Sequence, residues 1–279
     1  MLTPETIRKI EDFIYQKPRS INEIAQLLGK NWRTADRYVA EIEKNFGTIS
    51  TRTFRGGTRG ALKVVFWASM EKISHSVFQE KLEQEIMSAR RKEDFSAFDI
   101  FQHVPDKNKR AIVENAIDED STNLKEFAEI LSSAQKQLLI FSGNLSFVNL
   151  KNKKFDMMKI LEDLVKRGII IKIICRVDIA GRENIEKVLS LNFKYGKEKI
   201  EIRHREHPLR AFIVDSKVFR IKEIKEPTGK IKELDKKVFI FYTIRDKEWA
   251  EWISKIFWKM FSGAVGAGKR IEELKKLKL

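Results

Sequence analysis

Ser20 is followed three residues later by Glu23, an apolar run with helical spacing comes next, and Gly29 closes it. No other stretch limits the possible folds as tightly. A serine at a helix start and a glutamate three residues on can satisfy two first-turn backbone N–H groups reciprocally. Gly29 then supplies the left-handed residue that ends such a helix. Ile21, Ile24, Ala25, Leu27 and Leu28 supply its apolar side chains. An earlier helix is expected over residues 3–18, with Ile7, Ile10, Phe13 and Ile14 inward, Pro4 in its first turn and Pro18 beyond its end. A third is expected from about Asn31 to Phe46, with Ala35, Tyr38, Val39 and Ile42 inward. Two short helices about a glycine turn are what a helix-turn-helix requires.

The outer face of the third helix offers Asn31, Trp32, Arg33, Thr34 and Arg37. Arg33 and Arg37 sit one turn apart, so both can enter a major groove. Residues 48–54 and 61–67 are rich in β-formers and flank a glycine-rich tip. They are expected to form a hairpin, the wing, with Arg52, Arg55 and Arg59 contacting phosphates or the minor groove. The stretch from Ser20 to Val39 resembles the winged-helix regulators of bacteria and archaea.

Charge decides between a solvated surface and a polyanion partner. The chain has 55 Lys+Arg against 40 Asp+Glu, a net +15. Residues 1–70 hold 12 and 7 of these, a net +5 concentrated on the third helix and the hairpin. That placement favours double-stranded DNA. The apolar run 168–175 is broken by Lys172 and is too short for a membrane span. The start lacks the pattern of a signal peptide. Cys175 is the single cysteine, which excludes an internal disulfide framework and a cysteine-built zinc site. A cytoplasmic, nucleoid-associated protein is expected, with no membrane partner, metal or cofactor.

The expected class is α+β in three parts. Residues 1–69 form the winged helix-turn-helix. Residues 70–120 form a helical linker, whose stripe of Ile73, Val77, Phe78, Leu82 and Ile86 favours pairing with a second subunit. His75 and His103 lie there and receive no role. Residues 121–279 alternate strand and helix, as in an α/β layer structure.

Within that last part, Leu161–Gly168, Ile169–Ile174, Ile200–Arg203 and Ala211–Val218 resemble the phospholipase D-like domain. Together with a winged helix and a linker helix, the chain resembles the TrmB-type archaeal transcriptional regulators. The closing helix with Trp252, Phe257 and Trp258 is similar to that group as well. The resemblance implies a homodimeric regulator with a sugar effector, its α/β domain serving effector or subunit binding.

Phospholipase D-type catalysis uses His-x-Lys-x4-Asp. Here Arg210 and Asp215 keep the lysine–aspartate spacing, but Pro208 occupies the histidine position and His207 lies one residue away. In a strand, one residue reverses the face. No catalytic residue is therefore assigned, and the chain is expected not to be an enzyme. Arg210 is a candidate anion-binding residue, against the alternative of an Arg210–Asp215 ion pair or loop pin. Residues 263–270 match G-x4-G-K, but Arg270 stands where a P-loop needs Ser or Thr. The expected function is sequence-specific transcriptional regulation. The alternatives are an architectural or replication-associated DNA protein, and a phospholipase D-type phosphodiesterase or nuclease.

Overall fold

The structure is a computed structural model that describes residues 2–45, 48–55, 61–67, 75–115, 122–152, 155–227 and 237–276. The chain opens with α1 (Pro4–Gln16), whose first turn is capped by the Thr3 hydroxyl accepting from the Thr6 N–H. A two-residue β1 (Arg19–Ser20) leads into α2 (Ile21–Leu28). The Ser20/Glu23 capping box forms, and Gly29 takes φ +60°. Then come α3 (Trp32–Asn45) and the hairpin of β2 (Ile49–Arg55) and β3 (Ala61–Trp67). These strands make a sheet of order β1-β3-β2. Ile10, Ile14, Ile24, Ala35, Val39 and Ile42 form the small core between the helices.

Next follow α4 (His75–Ser88), α5 (Ala97–His103), β4 (Lys109–Asn115), α6 (Thr122–Ser132) and β5 (Gln137–Phe141). After these come α7 (Met157–Lys166), β6 (Ile170–Cys175), α8 (Arg182–Tyr195), β7 (Ile200–His204) and β8 (Ala211–Val214). β9 (Val218–Lys225), β10 (Val238–Ile244), α9 (Lys247–Ser262), β11 (Val265–Gly266) and α10 (Ala267–Lys276) complete the described chain. One eight-stranded sheet has the order β11-β7-β6-β5-β8-β9-β10-β4. β5, β6 and β7 run parallel, and the other pairings are antiparallel. The body is thus mixed α/β.

The sequence pattern follows from the layers. β5 is covered on both faces, so Leu138, Leu139, Ile140 and Phe141 are all buried. One face of the sheet carries α9 with Trp249, Ile253, Ile256 and Phe257. The other packs Leu161, Leu164 and Val165 of α7 and Val188 of α8. The tryptophans of α9 therefore serve the core, and only Trp258 stays partly exposed.

Several expectations change. Residues 70–120 are not purely helical: β4 pairs with β10 from Lys109↔Ile244 to Asn115↔Val238. The apolar stripe of α4 is largely used within its own chain. Leu82 and Ile86 are buried in the main core, and Phe78 stacks on His103 at 4.0 Å. Val77 stays 51% exposed, so this cover begins at Phe78. Ile73 lies outside the described residues. After the Gly263 cap of α9, Val265–Gly266 form the short edge strand β11 and α10 begins at Ala267.

The hairpin stem also differs from a free wing. Ile49 and Val65 enter the small helical core, while Phe54, Leu62 and Val64 enter the main core. Both faces are therefore occupied. The two cores meet through one pair of strands.

Candidate nucleic-acid interface

α3 starts at Asn31, whose side-chain oxygen accepts from the Thr34 N–H at 2.9 Å. This cap fixes the helix start, and it commits the Asn31 oxygen that base contact would need. Trp32 packs against the small core, and Thr34 is partly buried. Arg33 and Arg37 are exposed. Their guanidinium groups lie 5.7 Å from the Trp32 ring and 5.4 Å from the Tyr38 ring. No ion pair engages either arginine among the described residues. Their charge faces solvent undiminished, from a helix whose other side is fixed by Ala35, Tyr38, Val39 and Ile42.

Two polar links lock α3 to the hairpin. The Lys63 ammonium donates to Asp36 at 2.7 Å. The Glu43 carboxylate accepts from the Thr51 N–H at 2.9 Å and from its hydroxyl at 3.1 Å. The sequence pattern alone did not point to these anchors.

Arg52 does not belong with Arg33 and Arg37. It reaches back to the body, 3.4 Å from Asp106 and 5.1 Å from the Phe101 ring. An aspartate 54 residues away and an aromatic face are its partners, and 39% of its side chain stays exposed. The Arg55 side chain and all of Arg59 lie outside the described residues.

A second group sits at the carboxyl ends of β5, β6 and β7. Arg210 is mostly buried, and its guanidinium lies so close to Gly143 that an added Cβ there would sit 2.8 Å from it. It donates to the Leu209 carbonyl at 2.7 Å. Burial, then the charge of Arg176, lowers its pKa. His207 is buried, with Nε2 3.2 Å from the Ile174 carbonyl. Burial and the neighbouring Arg210 charge push it down to about 3, so its imidazole is neutral. Lys222, beside Arg210 on the next strand, is lowered to about 8 by burial and then by Lys237, Arg210 and Lys92. This is a cationic corner able to receive a small anion. Sequence reasoning missed Gly143 and Lys222, since neither belongs to a motif.

Asp215 is not paired with Arg210. Its carboxylate accepts from the Gln135, Lys136 and Gln137 N–H groups, each at 2.9 Å. It is a loop pin, held at φ +51°. Burial raises its pKa, but the three N–H bonds outweigh that and the net shift is downward. Asp215→Asn leaves one oxygen for three donors. It is expected to cost about 1–3 kcal/mol of stability at pH 7. A carboxylate with a depressed folded pKa contributes fully above its unfolded value, about 3.9, and the contribution is lost as pH falls through the folded value. Urea unfolding should show a constant gap between variant and wild type from pH 7 to 5, closing below about pH 4. A gap that persists at the lowest pH would remove the carboxylate from this account.

Cys175 is buried in β6, and burial pushes its thiol up to about 12. The native protein should resist iodoacetamide at pH 8, and the urea-unfolded chain should react. Rapid native labelling would contradict the burial. Among the described residues, no group of three or more His, Cys, Asp or Glu could hold a metal ion. Among them, too, no helix is long and apolar enough to cross a membrane.

No known family's profile and no curated protein matches the chain. Solved structures do. TrmBL2, described as an archaeal chromatin protein with a novel mode of DNA binding, aligns over 95% of this chain and 94% of its own. The identity is 16% and the TM-score 0.38. NUC from Salmonella typhimurium, a phospholipase D family member, covers 57% of this chain and 97% of its own, at 15% identity and TM-score 0.39. Phosphatidylserine synthase from Haemophilus influenzae Rd KW20 covers 61% of this chain and 46% of its own, at 12% identity and TM-score 0.39. The expectation that the chain is not an enzyme is corrected here. The solved structures it is similar to include a phospholipase D family member and a synthase.

Proposed function

We propose that this chain is a DNA-binding protein whose residues 1–69 act as a winged helix-turn-helix reader. The observation that carries the reading is the pair Arg33 and Arg37: exposed, unpaired among the described residues, and one turn apart on a helix fixed from behind. Asn31 sets the helix start, Trp32 and Thr34 support it, and Arg55 and Arg59 are proposed to complete the contact. Arg33 and Arg37 read base edges or fix register.

The finer proposal is a transcriptional regulator that acts as a homodimer, with residues 121–279 binding an effector or a second subunit. A cavity of about 290 Å³ lies between the reader and the end of β9, lined by Lys17, Glu23, Gln26, Glu223 and Lys225 among others. It offers both charge signs to a small polar effector, and the family resemblance implies a sugar. Arg210, with Lys222, is proposed to hold an anion.

The test is selection from a genomic fragment library across a salt series. A regulator recovers a short palindromic site that persists at moderate salt. Uniform, salt-steep binding with no enriched sequence would favour the architectural reading instead. No binding at any salt would remove nucleic acid as the partner.

A phosphodiesterase is the second reading, favoured by the neutral His207 beside the Arg210 charge. It predicts slow cleavage of a bis(p-nitrophenyl) phosphate probe, abolished in both His207→Ala and Arg210→Ala. Equal rates in wild type and variants would end it.

A further inference from the structure

Most of the excess charge lies outside the proposed reader. Residues 121–279 hold 35 Lys+Arg against 21 Asp+Glu, a net +14, while residues 71–120 hold 8 against 12, a net −4. The topology gathers part of the body's excess at one place. β5, β6 and β7 are parallel and begin in register, Gln137 beside Ile170 and Ile171 beside Ile200. The residues just before them meet through the backbone: the Ile170 N–H donates to the Lys136 carbonyl at 3.1 Å, and the Ile171 N–H to the Lys199 carbonyl at 2.8 Å. The β8–β9 turn brings Lys217 to the same end, since the Asp215 N–H donates to the Gln137 carbonyl at 3.1 Å.

Most neighbouring charges have other work, the exposed Glu198 beside Lys199 excepted. Lys166 and Lys194 pair with Glu162, and Arg167 pairs with Asp163. Arg167 also donates to the Ser132 carbonyl at 2.9 Å, and Lys197 to the Lys166 carbonyl at 3.1 Å. Asp215 is committed to its three amides. Lys136, Lys199 and Lys217 form no ion pair among the described residues. In the sheet order β7-β6-β5-β8 they span three inter-strand steps, about 14 Å at ~4.8 Å each, or roughly four base pairs. Phe193 follows Asn192, whose side-chain oxygen accepts from the Lys199 and Ile200 N–H groups, and has 86% of its surface exposed near that end of β7.

We propose that this end of the sheet is a second DNA-contact surface, separate from α3 and the hairpin. Lys136, Lys199 and Lys217 follow a phosphate backbone there, and Phe193 packs on a sugar or base step. A row of ammonium groups beside a single aromatic suits a backbone better than a lipid surface, which would need a broader apolar area. A chain with two such surfaces contacts two duplex segments at once.

Equilibrium binding to a fixed 40-base-pair duplex, measured from 50 to 300 mM salt, tests this. Lys136→Gln/Lys199→Gln/Lys217→Gln should reduce the slope of log K against log salt by roughly 2–3, at about 0.9 per lost phosphate contact. The same reduction should appear in an Arg33→Ala/Arg37→Ala background. Lys217→Gln alone, in an exposed turn, should lower the slope by about 1 if the triple variant folds poorly. Phe193→Ala should weaken binding several-fold and leave the slope unchanged. An unchanged slope in triple and single variants of native melting temperature overturns the second surface and leaves the reader untouched. Unchanged binding in Arg33→Ala/Arg37→Ala alone overturns the reader and leaves the second surface standing. If Phe193→Ala alters the sedimentation coefficient but not affinity, the exposed phenylalanine belongs to a chain–chain contact and the proposal fails.

Discussion

Replacing Arg33 and Arg37 together with alanine is expected to weaken duplex binding by about 2–6 kcal/mol, roughly 30-fold to 10⁴-fold. Both guanidinium groups are exposed and unpaired among the described residues, so their removal breaks no internal contact beyond the ring faces of Trp32 and Tyr38. Stability should therefore stay within about 0.5 kcal/mol, which separates a binding effect from unfolding. The single variants are informative too. An arginine reading a base should lose discrimination at one position of the site. One on a phosphate should weaken all sequences alike and lower the salt slope by about 1. Fluorescence anisotropy at two salt concentrations measures both quantities. A double variant that binds as tightly as wild type with the same slope would falsify the assignment of this helix face.

Phe54→Ala is expected to have the largest effect on stability, about 3–5 kcal/mol. Phe54 sits where the hairpin enters the main core, with ring centroids 5.9 Å from Phe98, 6.0 Å from Phe101 and 6.1 Å from Tyr242. Those three rings belong to α5 and β10, so the lost contacts are among those that tie the first 67 residues to the sheet, with Leu62 and Val64 beside them. Domains have only about 5–15 kcal/mol in hand, and the loss is a large share of it. The cost should also be uneven. The small helical core keeps Ile10, Ile24, Val39 and Ile42, so it should unfold separately in the variant. Two transitions in urea, the small helical core melting apart from the body, is the expected trace. A single transition shifted by less than 1 kcal/mol would mean that the hairpin contributes little to joining the two units.

The sequence was most legible where the signal is local. Ser20, Glu23 and Gly29 act within one helix, and their capping box and left-handed turn form where the spacing places them. The run Leu138–Phe141 is continuous because both faces of a parallel strand are covered, and its composition says so. β4 lacked such a signal. Lys109-Arg-Ala-Ile-Val-Glu-Asn mixes charged and apolar residues, and β10, more than a hundred residues later, makes it a strand.

Candidate site residues divide in the same way. The helical repeat alone placed Arg33 and Arg37 on one face of a helix. It could not tell that Arg52 meets Asp106 and the Phe101 ring, because both arrive from another part of the chain. Nor could it separate Asp215 from Arg210. The motif spacing suggested a pair, yet the N–H groups of Gln135 and Lys136 before β5 and of Gln137 at its start hold Asp215. The stripe of α4 reads as a surface awaiting a partner, and α5 and α9 of the same chain supply much of that cover. By itself, then, the sequence determined the helices, the buried strands and the sign of the charge, since periodicity, caps and composition act over a few residues. The tertiary structure alone decided which charges remain free and which apolar faces are already covered, because each depends on a group brought from a distant part of the chain.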